Sequence, residues 1–374
     1  MTASSAARPS LLTTATHFVF LGTICSISFH YYAYKQWQLW WEKPKRKALA
    51  SGPHDAAASG RKKVIVITGC DRGFGRMLAE SLKETNNFLV VALTLTAEAA
   101  AELLQEKETS TTSSSKNKGS PLKAVQCDVT KEKEIVQMTQ FVDKLCRESN
   151  AVLYAIVNNA GIADPGDFLF DADLSTYKTV MNINFFGMLN VTQALLPLMI
   201  KTSKENTEGA RIINLSSIGG AVATPSNGAY NASKFAVEAW SDTLRLELEP
   251  FNVVVSKIRP GPIKTQIQND FQTNFINNFD AAPSPIKDLY GGEEFRSKIL
   301  SVFQSMDPKQ MGDPALVVET LKDMLTMPKH KVKPHYWVGA DANTYWKALT
   351  ILPTSVSDTI KRNFFRFSPI ESAT

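Results

Sequence analysis

The sequence predicts a single α/β domain, a doubly wound parallel sheet of about seven strands flanked by helices, and three observations lead there. Short β-branched runs alternate with amphipathic stretches over most of the chain. The first of these runs passes directly into a glycine-rich turn and then a helical pattern. Strands separated by helices require right-handed crossovers, and these cover both faces of a parallel sheet. Composition agrees: of 374 residues 44% are apolar and 21% charged, a globular balance that argues against global disorder.

The elements follow in order. Val64-Ile-Val-Ile67 is a continuous apolar run of the kind buried on both faces of a parallel sheet. Further strands are expected at Phe88–Leu93, Leu122–Gln126, Val152–Val157, Arg211–Leu215, Val253–Ile258 and His335–Val338. Helical patterns fill the gaps at Gly73–Thr85, Ala97–Lys107, Lys131–Glu148, Leu174–Ile200, Ala229–Leu248 and Pro314–Leu325. Thr109–Ser120 is rich in Ser, Thr and Lys and reads as a solvated insertion. Residues 264–312 have weak periodicity, and so long an irregular segment in a compact domain is expected to be a substrate-binding lid.

The N-terminus carries a membrane signal. No Lys, Arg, Asp or Glu occurs from Pro9 to Tyr34, which exceeds the roughly 20 residues a bilayer requires. Tyr31, Tyr32, Tyr34, Trp37, Trp40 and Trp41 supply an interfacial aromatic belt. Lys35, Lys43, Lys45, Arg46 and Lys47 follow, against Arg8 alone on the other side. The expectation is an anchor over residues 1–41, a basic linker over 42–60 and a main domain over 61–374 facing the cytosol, with the endoplasmic reticulum as the membrane. The rival is a mitochondrial transit peptide, because residues 1–41 lack acids and are rich in Ser, Thr and Ala.

Other classes are disfavoured. A net charge of +5, much of it in the Lys43–Lys47 run, gives nucleic-acid binding little support. The four cysteines show neither a CxxC nor metal spacing, and His330 and His335 lie in basic surroundings, so no metal site is expected.

The chemistry concentrates in a series of motifs. Thr68-Gly-Cys-Asp-Arg-Gly-Phe-Gly75 joins strand to helix, where glycines admit a pyrophosphate and the helix N-terminus favours its charge. Then come Cys127-Asp-Val129, Asn158-Asn-Ala-Gly161, Asn182-Ile-Asn-Phe-Phe-Gly187, Ser216-Ser217, Tyr230-Asn-Ala-Ser-Lys234 and Arg259-Pro-Gly-Pro-Ile-Lys-Thr265. Tyr230 and Lys234 are four apart and so share one helical face. A phenol at its ordinary value near 10 is a poor proton shuttle at neutral pH. A nearby ammonium favours the phenolate and brings a general acid/base closer to the working pH.

In glycine spacing and motif order the chain resembles the short-chain dehydrogenase/reductase family over about residues 62–270. That resemblance implies a Rossmann-type fold and an NAD(P)-dependent alcohol dehydrogenase or carbonyl reductase. It also implies a catalytic set of Asn184, Ser217, Tyr230 and Lys234. Ser217 precedes Tyr230 by thirteen residues, the family's interval, and is preferred to Ser216 for that reason. Asn184 would hold a water that links Lys234 to solvent.

The implied cofactor contacts are Gly69, Asp71, Arg72, Gly73, Phe74, Gly75, Asp128, Val129, Asn158, Asn159, Ala160, Gly161, Tyr230, Lys234, Pro260, Gly261, Ile263 and Thr265. Asp128 would cap the adenine amino group, and Thr265 would meet the carboxamide. The cofactor stays open between NAD and NADP. No acid stands near Thr94, where NAD enzymes carry one, and Arg72 would suit a 2′-phosphate.

The segment Phe235-Ala-Val-Glu-Ala-Trp and the Thr68-Gly-Cys-Asp turn resemble a particular branch. It holds retinol dehydrogenases, membrane-bound hydroxysteroid dehydrogenases and mitochondrial 3-hydroxybutyrate dehydrogenase. Ile267, Phe271, Phe275, Ile276, Phe279 and Leu289 either line a lipophilic pocket or pack a lid helix. A retinoid, steroid or fatty-acyl substrate is expected. The alternatives are a small hydroxy-acid dehydrogenase and a non-catalytic nucleotide-binding member. Homodimerisation through the Leu174–Ile200 and Ala229–Leu248 helices is a further implication of the resemblance.

Overall fold

The computed structural model describes residues 61–83, 88–105, 122–166, 168–171, 174–203, 208–305 and 311–365. The expected anchor, the basic linker and the Thr109–Ser120 insertion lie outside the described residues.

Seven strands form one sheet in the order β3-β2-β1-β4-β5-β6-β7. They are β1 (Lys62–Ile67), β2 (Phe88–Thr94), β3 (Leu122–Gln126), β4 (Ala151–Asn158), β5 (Ala210–Leu215), β6 (Val253–Pro260) and β7 (His335–Val338). Every neighbouring pair is parallel. β2 and β4 are buried at every position, as unbroken apolar runs must be when helices cover both faces.

One core layer packs Ile65, Ile67, Val90 and Val157 against helices α1 (Gly73–Lys83) and α10 (Pro314–Thr326). The opposite layer packs Val64, Val66, Val91 and Ile156 against α3 (Glu132–Glu148) and α5 (Gly187–Ser203), whereas α2 (Ala97–Gln105) adds Leu103 to the first layer. Alternate residues of β1 thus serve the two layers, the period-2 rule of a strand. Ser175–Ser203 is long and apolar enough to cross a membrane by length and composition, yet Val191, Leu195 and Met199 are fully buried against the sheet. It is a core layer of the domain.

A buried guanidinium fixes α10. Arg211 on β5 is 1% exposed and donates to the Met324 and Met327 carbonyls. The cation meets the negative end of the α10 dipole, a favourable pairing. Its face lies 5.1 Å from the Tyr154 ring, and the Tyr154 hydroxyl donates to the Leu325 carbonyl at 2.9 Å.

Two expectations need correction. The stretch expected as one helix over 174–200 is α4 (Ser175–Met181), a π-helical turn Asn182–Phe186, and then α5. The weakly periodic 264–312 segment is not a structureless loop. It holds three helices, α7 (Gln266–Ala281), α8 (Ser284–Leu289) and α9 (Gly292–Ser305). Their apolar residues meet one another: Phe275, Phe279 and Ile299 form a separate cluster with Phe170. A helix that packs on a small satellite core shows less regular amphipathicity than one lying on a sheet.

Candidate active site

The site forms at the carboxyl ends of β1 and β4, where the strand order reverses and crossovers leave in opposite directions. Thr68, directly after β1, anchors it. Its hydroxyl oxygen accepts the Asn159 and Ala160 N–H groups, both at 2.9 Å. Asn159 in turn donates to the carbonyls of Thr68 and Gly69, both at 2.9 Å. The glycine turn is thereby tied to the end of β4.

The turn fits a dinucleotide. Gly69 (φ +68°) and Gly73 (φ +63°) have left-handed backbone that side chains disfavour. A Cβ on Gly75 would strike the Gly69 carbonyl and lie 2.5 Å from the Asn159 amide nitrogen, so α1 can approach the sheet only without one. Around Gly73 no atom lies within 4 Å of where a Cβ would stand, which leaves room for a ligand at the N-terminus of α1.

A groove of about 650 Å³ opens from this turn. Gly69, Asp71, Arg72, Gly73 and Phe74 line one wall, Asp128, Val129, Asn159, Ala160 and Gly161 another, and Thr265 a third. The Asp128 carboxylate accepts from the Thr130 amide and hydroxyl at 2.9 and 2.7 Å, which holds it in place.

Asn158 does not belong to this set. It is 1% exposed, and its amide donates to Thr192 at 2.9 Å and Asn214 at 2.8 Å, so it joins β4 to α5 and β5 behind the groove. Gly75 also acts by packing and does not line the groove.

The groove continues into a second cavity through Phe74, Asn159, Gly161, Ile162 and Thr265, which line both. Here α6 (Gly228–Leu248) presents Tyr230 and Lys234. Ser217 is extended and caps a turn, its hydroxyl oxygen accepting the Gly219 N–H at 3.0 Å. With that lone pair occupied, its proton is free to point at Tyr230, to which it is hydrogen-bonded, or at a bound oxygen. Ser216 also borders this cavity but is buried, with its hydroxyl turned toward Glu238. Pro260, Gly261 and Ile263 complete the floor.

Burial pushes the Tyr230 phenol above its ordinary value, and the Ser217 hydrogen bond pulls it back. The expectation that Lys234 does the lowering needs revision. Its ammonium is 5.6 Å from the centre of the Tyr230 ring and donates to the Leu215 carbonyl at 2.9 Å. Lys234 itself is pulled down to about 8 by burial, against an upward pull from Glu238.

Asn184 sits within the π-helical turn, a distortion that often marks functional positions. Its oxygen accepts the Ile162 N–H at 2.8 Å, and its amide donates to the Ile162 carbonyl at 2.9 Å and Ser233 at 3.0 Å. A Cβ on Gly161 would fall 3.1 Å from the Asn184 oxygen and 3.6 Å from the Lys234 nitrogen. Only a glycine fits easily between them.

Two contributors escape a reading of the motifs. Trp346 lines the second cavity from a π-helical turn, Ala342–Trp346, that no periodicity announces. Glu238, one helical turn beyond Lys234, pairs with Lys257 at 2.7 Å and Arg259 at 2.7 Å and is almost buried. Its spacing from Lys234 was the available signal, but both cations come from β6.

A doubly wound sheet whose switch-point groove meets a Ser–Tyr–Lys cluster defines an NAD(P)-dependent oxidoreductase. Residues 63–274 match the family model described as short chain dehydrogenase, and the chain belongs to that family. It is 34% identical over 303 residues to retinol dehydrogenase 7 of Rattus norvegicus, covering 80% of this chain and 87% of the relative. It is 34% identical over 299 residues to 17-beta-hydroxysteroid dehydrogenase type 6 of Mus musculus, covering 79% and 86%. Among solved structures, a short chain dehydrogenase from Burkholderia cenocepacia in complex with NADP matches with a TM-score of 0.56 at 22% identity, covering 80% of this chain and 98% of that one.

Proposed function

We propose that this chain moves a hydride between a nicotinamide dinucleotide and an alcohol or carbonyl of a lipophilic substrate, a retinoid, steroid or fatty-acyl derivative. The observation that carries the reading is the lining of the second cavity. Ile218, Val222, Pro225, Ile263, Phe271 and Trp346 surround Ser217 and Tyr230, and Lys234 is the one charged side chain among its described lining residues. A carboxylate substrate would find no further cation there, which disfavours the small hydroxy-acid reading. The relatives named retinol and hydroxysteroid dehydrogenases support the same class.

The glycine turn, Asp128, Val129, Asn159, Gly161 and Thr265 would hold the dinucleotide. When bound, its ring supplies the acceptor or donor of the hydride. In the oxidation direction Tyr230 takes the substrate's hydroxyl proton, and in reduction it returns one. Ser217 donates to the same oxygen and stabilises developing negative charge there. Lys234, pulled down to about 8, relays that proton: its ammonium gives one up toward solvent and the neutral amine then takes the one from the phenol. Asn184 braces the loop around Ile162 and, with a held water, would lead that proton to solvent.

The charge-free Pro9–Tyr34 segment and the basic residues after it support anchorage in the endoplasmic reticulum membrane with the domain in the cytosol. Leu174, Phe186 and Phe235 are exposed apolar side chains beside or on α4, the π-helical turn and α6, which supports a homodimer through these helices.

Detergent-solubilised full-length protein, assayed with NAD(H) and NADP(H) against retinol, hydroxysteroids and 3-hydroxybutyrate, tests the reading. Turnover of the lipid alcohols is expected, and Tyr230→Phe should reduce it more than 1,000-fold, roughly the acid/base contribution, while dinucleotide binding persists. Turnover confined to 3-hydroxybutyrate, or an active Tyr230→Phe, would overturn it.

A further inference from the structure

We infer that Trp346 is a specificity-determining residue of the second cavity, and that it favours alcohols whose reacting carbon is primary over those whose reacting carbon lies in a ring. The inference rests on the oxidoreductase reading above and adds to it which carbinols the cavity accepts.

Trp346 lies beyond residues 63–274, which match the family model. It ends the π-helical turn Ala342–Trp346, is 7% exposed, and clusters with Ile218, Val222 and Leu349. Ile218 directly follows Ser217 in the chain. The indole therefore stands on the Ser217 side of the cavity, whose wall it shares with Ile218 and Val222.

This wall is fixed from behind. The indole N–H donates to an Asp341 oxygen at 3.2 Å, and tryptophan has no other polar atom, so only carbon is left to face the cavity. The Asp341 carboxylate lies against the turn after β6, where a Cβ on Gly261 would fall 2.8 Å from one of its oxygens and 3.2 Å from the other. The Gly261 N–H donates to the Val338 carbonyl of β7 at 2.9 Å. Tyr345 and Phe364 meet the indole edge-on, their ring centres 5.1 and 6.1 Å away. The facing residues differ: Ile267 and Phe271 on α7 and Ile299 on α9 come from helices that pack on one another apart from the sheet.

The cavity holds about 220 Å³, below the roughly 300 Å³ at which pockets begin to enclose a drug-sized ligand. It takes the reacting end of a lipid, and the fit around the carbinol carbon decides. Ser217 and Tyr230 fix the oxygen, and the transferred hydrogen faces the groove, where Phe74, Asn159, Gly161, Ile162 and Thr265 join the two spaces. Two substituents remain. One leaves past α7 and α9, and the other meets Ile218, Val222 and Trp346. In a primary alcohol that second substituent is a hydrogen, whereas in a ring alcohol it is a carbon. One carbon more in an apolar pocket that does not relax changes selectivity by about 10- to 200-fold.

Dodecanol and cyclododecanol have the same number of carbons and differ at the carbinol. Full-length protein in detergent is assayed with each, and with retinol, with both oxidised dinucleotides supplied. For the parent protein kcat/KM for dodecanol is expected to exceed that for cyclododecanol at least tenfold, roughly the value of one carbon. Trp346→Leu should narrow this ratio severalfold by raising kcat/KM for cyclododecanol, and Trp346→Phe, which keeps a ring in the cluster, should narrow it less. Asp341→Ala frees the indole and should narrow the ratio too, whereas Asp341→Asn keeps an oxygen for the indole N–H and should restore it. A purely structural role for Trp346 would lower both substrates together. Equal or faster turnover of cyclododecanol by the parent, or a ratio unmoved in both Trp346 variants, would overturn the inference. If none of the three alcohols is oxidised, the proposed function itself fails.

Discussion

Replacing Glu238 by alanine removes one carboxylate that two cations share inside the domain. One Glu238 oxygen lies 2.7 Å from both Lys257 and Arg259, and the other accepts from Arg259 at 2.9 Å. Lys257 is 2% exposed and would keep only Asp242, at 2.6 Å, and the Glu238 backbone carbonyl, at 3.1 Å. Arg259 would keep the Trp337 face at 4.7 Å. Breaking a buried pair costs about 3–5 kcal/mol because a charge is left uncompensated. The retained Asp242 contact puts the loss at the lower end, about 3 kcal/mol. At about 2 °C per kcal/mol for a domain of this size, thermal unfolding should fall by roughly 6 °C.

Glu238→Gln keeps the shape and should lose about half as much, on the order of 1.5 kcal/mol. Burial raises the Glu238 carboxyl, but the hydrogen bonds from Arg259 and Lys257 outweigh it and hold the group below its ordinary value. Its stabilisation is therefore present above the unfolded value and lost as pH falls through the lower folded one. The gap between the parent protein and either variant should close in acid. Glu238 also raises Lys234, so the Lys234 limb of the pH–rate profile should move below about 8 in Glu238→Gln. Differential scanning fluorimetry and a pH series of turnover measure both. Unfolding within 1 °C of the parent for both variants would refute the reasoning.

Two further outcomes follow from local geometry. Gly75→Ala forces a methyl group into the Gly69 carbonyl and the Asn159 amide, so dinucleotide binding should fall at least 100-fold in a fluorescence titration. Near-parent affinity would show that the turn is not the phosphate site. Phe271→Ala opens the apolar cavity, and with about 2–3 kcal/mol of side-chain burial at stake KM for a lipid alcohol should rise tenfold or more, with kcat changed less. An unchanged KM would place the substrate elsewhere.

Most of the sheet was legible because strand signals are local. An apolar β-branched run such as Val64-Ile-Val-Ile67 reads as a strand buried on both faces, and the partly exposed edge strands β3 and β7 also run over the expected residues. The helices of residues 264–312 were not, because α7 and α9 bury phenylalanines against one another and not against the sheet. Asn158 misled for a related reason. Its neighbours Asn159 and Gly161 line the groove, but strand alternation turns its side chain inward to Thr192 and Asn214.

By itself the sequence determined the fold, the glycine turn and the chain positions of Ser217, Tyr230 and Lys234. Periodicity, backbone freedom and four-residue helical spacing act over short distances and can be read without coordinates. Only the tertiary structure decided which charges meet. Arg72 finds Asp270 across 198 residues, Glu238 gathers two cations from β6, and Asp71 reaches the amides after β2. Electrostatic energy depends on separation in space and on exclusion of water, and neither is a property of distance along a chain.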